Sequence, residues 1–239
     1  LRIVPEPGQS RAREVLLTLA IALLALVLFD TRILYPLRLF VVFLHELSHG
    51  LAAVLTGGSI ERIELQAQEG GFCVTRGGSR FLTLSAGYLG SLAWGVALLL
   101  LGARTRLDRP VVGAMGLLTL LVTVVYVRGL FGFLFGLLAA AALLATARWL
   151  PAQASDLLLR VVGTVSCLYA VWDIASDALL RDIPGSDANA LGQLTGIPGF
   201  LWAVLWIAVA VVVTGWALWY AASPHRHDPA AAQRLLPGL

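Results

Sequence analysis

Lysine is absent from this 239-residue chain; all 17 basic residues are arginine. Cysteine occurs twice, at Cys73 and Cys167, far apart and in unlike surroundings. That spacing excludes a disulfide framework and a cysteine-based metal cluster. Charge is scarce: 13% of the residues are charged, where a soluble domain carries about 25%. The arginines are scattered at the ends of apolar runs rather than clustered, so the pI near 9.2 marks no nucleic-acid surface. Arginines so placed extend along a helix and keep their heads at a membrane interface.

What remains is apolar. Hydrophobic residues make up 59% of the chain and the mean hydropathy is +0.85. A bilayer core is crossed by about 20 apolar residues in a helix. The runs that meet this are 14–29, 33–55, 82–101, 111–127, 130–147, 157–180 and 198–221. The expected architecture is a single all-α polytopic membrane domain with about six or seven transmembrane helices, followed by a polar tail at 222–239. The first run lacks a small-residue cleavage site and reads as a retained helix. Arg128-Gly129 divides 111–147 into two spans.

One segment breaks the pattern. Residues 59–80 are polar and alternating, with Ile60, Ile63 and Leu65, then Gly70-Gly71, then Phe72 to Thr75, then Gly77-Gly78. Two short β-prone runs around a Gly-Gly turn predict a small β-hairpin after the second helix. Its exposed edge is a place where an extended peptide can add as a further strand.

Histidine occurs four times. His225 and His227 lie in the tail; His45 and His49 lie within the second apolar run, in His45-Glu46-Leu47-Ser48-His49. Positions i and i+4 share one face of a helix, so both rings can reach one metal ion. Glu46 sits beside them, where a carboxylate can take a proton from water. H-E-x-x-H on a helix is the signature of a zinc hydrolase, and ionisable groups at membrane depth are costly enough to imply a function. Arg38, two turns earlier, is a candidate partner for the charge of Glu46.

Two histidines need a third ligand, commonly a carboxylate. The candidates are Asp173 and Asp177 late in the sixth run, and Asp187 after Pro184-Gly185. Four crossings separate the hairpin from 173–189, which returns that segment to the hairpin side. Asp187 is the first choice, because Pro184-Gly185 ends a helix and Ser186-Asp187 can open another. Asp173 and Asp177 are alternative ligands or acceptors that orient the histidine rings. Small residues at Gly87, Ser91 and Gly95 are suited to pack the third helix closely against the helix of the motif.

The pattern Phe43 to Gly50, Thr56-Gly57-Gly58, Ala86 to Ser91, Trp172-Asp173-Ile174 and Ser186-Asp187-Ala188 resembles the site-2 protease group of intramembrane metalloproteases, family M50, and within it the M50B-like branch. The resemblance implies Zn2+ held by His45, His49 and an aspartate, with Glu46 as base. It implies cleavage in or near a transmembrane segment of another membrane protein, in the lipid bilayer of a bacterial cell membrane. Better-known members carry their third ligand in an N-P-x-x-D-G-like segment; Pro184-Gly185-Ser186-Asp187-Ala188 is similar but lacks the leading Asn and the final Gly. A non-catalytic membrane scaffold with the same fold is the alternative. An ion path through the aspartates and histidines is a weaker one, since paired broken helices in matching halves are not seen in the sequence.

Overall fold

Pro36 sits in the first turn of a helix, where its missing N–H costs nothing, and Gly57 takes φ +90°, a conformation that stops one. Between them runs α2 (Tyr35–Leu55), which carries the histidine motif. The computed structural model describes residues 7–176 and 185–223. Asp177, His225 and His227 lie outside these residues. The other helices are α1 (Pro7–Val27), α3 (Arg80–Arg104), α4 (Asp108–Tyr126), α5 (Leu130–Trp149), α6 (Ala152–Ala175), the short α7 (Asp187–Thr195) and α8 (Gly199–Ala222). Six of them (α2 to α6 and α8) are long and apolar enough to cross a membrane. The protein is therefore a polytopic, all-α membrane protein with a small sheet after its second helix.

The packing follows bilayer rules. Leu138, Val212 and Trp219 expose about 70% of their surface, as lipid-facing side chains do when hydrocarbon replaces water. Where helices touch, small residues make room. A side chain at Gly95 would meet the Cys167 backbone and sulfur and the Gly163 carbonyl on α6. Gly95 thus serves the α3–α6 contact, whereas Gly87 and Gly90 face α2; the small-residue stripe divides between two neighbours. The middle of helix α2 is enclosed, with Leu39, Val41 and Leu44 fully buried, while Val54 and Leu55 at its end are exposed.

The sheet has three strands, in the order β2-β1-β3. Strands β1 (Ser59–Gln66) and β2 (Gly70–Arg76) pair antiparallel, with an irregularity between Ile60 and Arg62. The turn is made by Ala67 to Glu69, not by Gly70-Gly71 as the sequence suggests. Glu69 adopts φ +62°, and both glycines belong to β2. Gly71 is small for another reason: a Cβ there would lie 2.9 Å from Cγ of Glu46. The third strand, β3 (Val127–Arg128), joins β1 in parallel, Ile63 with Val127 and Glu64 with Arg128. With Gly129 at φ +82° it separates α4 from α5, so 111–147 holds two helices and four long helices lie between the hairpin and α7.

Candidate metal centre

Two local structures bring the polar groups of this site together. At the end of α2, the Gly58 N–H donates to Ala53 O at 2.7 Å, and Thr56 Oγ1 accepts from the Ser79 N–H at 2.9 Å. The exit of α2 is thereby tied to the start of α3. At the start of α7, Ser186 caps the helix, its hydroxyl accepting from Asn189 N–H at 3.4 Å. This N-terminus aims Asp187 at α2.

His45 and His49 stand on one face of α2 with ring centroids 4.8 Å apart. Oδ2 of Asp187 lies 3.2 Å from Nε2 of each. One ligand atom from each of the three residues lies within 4.8 Å of the others. The second nitrogen of His49 is held: Nδ1 is 2.7 Å from the Thr83 carbonyl. A carbonyl only accepts, so Nδ1 carries a proton and Nε2, on the side of Asp187, is the nitrogen left for a metal. Nδ1 of His45 has Ser91 Oγ at 3.4 Å and Asp173 Oδ2 at 3.7 Å, and its ring rests edge-on against Tyr88 at 5.1 Å.

The donor set fits a divalent metal. Two imidazole nitrogens and one carboxylate oxygen are the ligand types of catalytic zinc. Despite its two near neighbours, Oδ2 of Asp187 is buried without a hydrogen-bond partner among the described residues. An orphaned buried carboxylate oxygen is costly and a cation relieves it. Burial pushes the Asp187 carboxyl up, but the facing His49 and His45 outweigh it and hold the group below the usual carboxylate range. It therefore presents an anion. Helix α3 leaves the room: a Cβ on Gly87 would meet Nε2 of His45, Oδ2 of Asp187 and Cε1 of His49 at once.

Glu46 is 5% exposed and its side chain lies against Gly71 on β2. It opens into the same cleft of about 660 Å³ as His45, His49 and Asp187, with Gly70 to Cys73 of β2 as a further wall. Cys73 itself is partly buried; burial first, and then the charge of Glu46, push its thiol up to about 12. Arg38 does not partner Glu46. It grips Glu69 with two contacts of 2.6 Å.

Of the aspartates named from the sequence, Asp187 stands among the candidate ligands and Asp173 stands behind His45. The sequence did not point to Thr83, whose contribution is a backbone carbonyl, nor to the contact of Gly71 with Glu46, which forms only once β2 is in place. The charge of Arg38 within an apolar run is a signal, but it points to Glu46 from the sequence, whereas its partner is Glu69.

A family described as Peptidase M50B-like matches this chain over residues 18–217, most of its length and all of the elements just described from α2 to α7. No curated protein matches it, and no solved structure does. The chain belongs to the Peptidase M50B-like family.

Proposed function

We propose that this protein is a zinc endopeptidase that hydrolyses peptide bonds in or near transmembrane segments of other proteins of a bacterial cell membrane. One observation carries the reading: His45, His49 and Asp187 converge from α2 and α7 on one point, beside the buried carboxylate of Glu46. Each residue then has a distinct part. His45 and His49 supply neutral nitrogen ligands, and the Thr83 carbonyl fixes the ring of His49. Asp187 supplies the anionic ligand. When bound, zinc contributes Lewis acidity and brings the pKa of water to about 7. Glu46 takes a proton from the attacking water and returns it to the leaving amine, a general acid–base role worth about 10²–10⁴-fold in rate. The backbone of β2 at Gly71 packs against its side chain.

A helical substrate has no free backbone groups, so its peptide bond must first be unwound. Strand β2 is the open edge of the sheet and runs along the cleft. An extended segment paired there by strand addition has its carbonyls within reach of Glu46. The test is Glu46→Gln in purified protein supplied with a membrane-protein substrate. Zinc content stays at the wild-type value and cleavage falls at least a hundredfold. A variant that binds zinc and cleaves at the wild-type rate refutes the mechanism, and a wild-type protein that holds no zinc refutes the metal assignment.

A further inference from the structure

Outside the cluster of reacting groups stands a partly buried ion pair that the proposed chemistry does not use. Arg38 lies on α2 seven residues before His45, hence on nearly the same helix face. Its Nε donates to Oε2 of Glu69 and its Nη2 to Oε1, both at 2.6 Å. The side chains are 9% and 23% exposed. The guanidinium also donates to the Thr31 carbonyl at 3.3 Å and lies 5.6 Å from the centre of the Phe29 ring. The arginine end is thus fixed from three sides.

Glu69 is the last residue of the turn before β2, and it is the one non-glycine residue at positive φ among the described residues. That backbone conformation is unfavourable for glutamate and persists where surrounding contacts demand it. A second tether lies beside it, where Tyr35 on α2 donates its hydroxyl to the Ala67 carbonyl at 2.8 Å. Directly after this fastened turn comes the part of β2 that touches Glu46: Gly71 packs on its side chain, so closely that a Cβ there would lie 3.0 Å from Oε1. Bidentate charge-assisted pairs are both strong and directional, so this one fixes angle as well as distance.

We propose that Arg38 and Glu69 form a latch, a pair of positioning residues that fastens the hairpin turn to α2 and so holds β2 against Glu46. With the latch closed, β2 forms one wall of the cleft and its backbone orients the carboxylate. With it broken, the hairpin swings away from α2, and Glu46 loses the packing of Gly71 while the three candidate ligands, which come from α2 and α7, keep their places. This rests on the reading of Glu46 as the base, but its structural content does not.

Cys73 reports the latch directly. Its sulfur faces α2 close to Gly50, and the other cysteine, Cys167, is fully buried among helices. The experiment follows alkylation of the full-length protein by a maleimide in detergent or vesicles, with the labelled residue identified by mass spectrometry and zinc content measured in parallel. Glu69→Gln keeps the shape of the side chain and removes the charge; it raises the labelling rate of Cys73 tenfold or more and leaves zinc content unchanged. The double reversal Arg38→Glu with Glu69→Arg returns labelling to within threefold of wild type, which a purely steric effect at either position does not do. Where Glu69→Gln does not fold, Glu69→Asp, shorter by one methylene, raises labelling at least threefold. Labelling of a folded Glu69→Gln or Glu69→Asp within twofold of wild type overturns the latch, as does a folded double reversal that labels as fast as Glu69→Gln. Absence of zinc from the wild-type protein overturns the metal reading instead, so the two failures are distinct.

Discussion

Replacing Gly87 with alanine puts one methyl group where the candidate ligands meet. The added Cβ would lie 2.5 Å from Oδ2 of Asp187 and 2.5 Å from Cε1 of His49, and in contact with Nε2 of His45. Ordinary contact begins at 3.4 Å, so about 0.9 Å of overlap must be relieved at each group. Ligand distances at a metal site tolerate about 0.2 Å. Without metal, the three side chains can rotate away from the methyl; with metal they cannot. The strain therefore falls on the zinc-bound state. Overpacking of this kind costs about 1–3 kcal/mol, and 1.4 kcal/mol is a factor of ten, so zinc affinity falls about 10- to 100-fold. The assay is competition for zinc against a coloured chelator, with thermal unfolding measured alongside. At a zinc concentration of about 100 times the wild-type Kd, binding stabilises the wild type by about 2.7 kcal/mol and a site weakened 100-fold by about 0.4 kcal/mol. Gly215→Ala, in α8, is the control, because nothing lies within 4 Å of its added methyl. A zinc Kd for Gly87→Ala within twofold of wild type would refute the convergence of His45, His49 and Asp187 on a metal.

The remaining predictions concern the same cleft. Asp187→Ala abolishes stoichiometric zinc binding, whereas Asp173→Ala, which removes a group 3.7 Å from the far nitrogen of His45, weakens it by about tenfold; the opposite ranking in a chelator titration reverses their roles. Removal of zinc by a chelator lowers the unfolding temperature and re-addition restores it, while a protein indifferent to chelation has no such site. With its thiol pushed up to about 12, Cys73 is protonated throughout the neutral range, since a raised acid pKa favours the neutral form. Its alkylation at pH 8 is at least tenfold slower in the native protein than in the denatured one; equal rates contradict the packing of β2 on α2.

Much of this was written in the chain because several signals are local. The apolar runs have the length of a bilayer crossing, and His45-Glu46-Leu47-Ser48-His49 places its chemistry on a helix by spacing alone. Ser186-Asp187 after Pro184-Gly185 carries a helix start in its residue types, and α7 begins there. Elements that depend on partners from afar were not legible. Val127-Arg128 is too short to show a period, and it becomes a strand only because β1 offers it an edge. Gly70-Gly71 looks like a turn by composition, yet the turn falls on Ala67 to Glu69, because Arg38 and Tyr35 hold Glu69 and Ala67 while Glu46 needs the space at Gly71. Gly95 has the spacing of Gly87 but faces a different helix, since the stripe of small residues turns around α3 as it rises.

The two residues of β3 have a consequence for where the sheet can extend. A free hairpin has two unpaired edges and can extend in either direction, which is how strands aggregate. Here Val127 and Arg128 occupy the middle of the far edge of β1, at Ile63 and Glu64. Of the two outer strands, β2 has seven residues and β3 two, so β2 offers the longer edge. A substrate strand added in the proposed manner would lie beside β2, in the cleft that Glu46 lines.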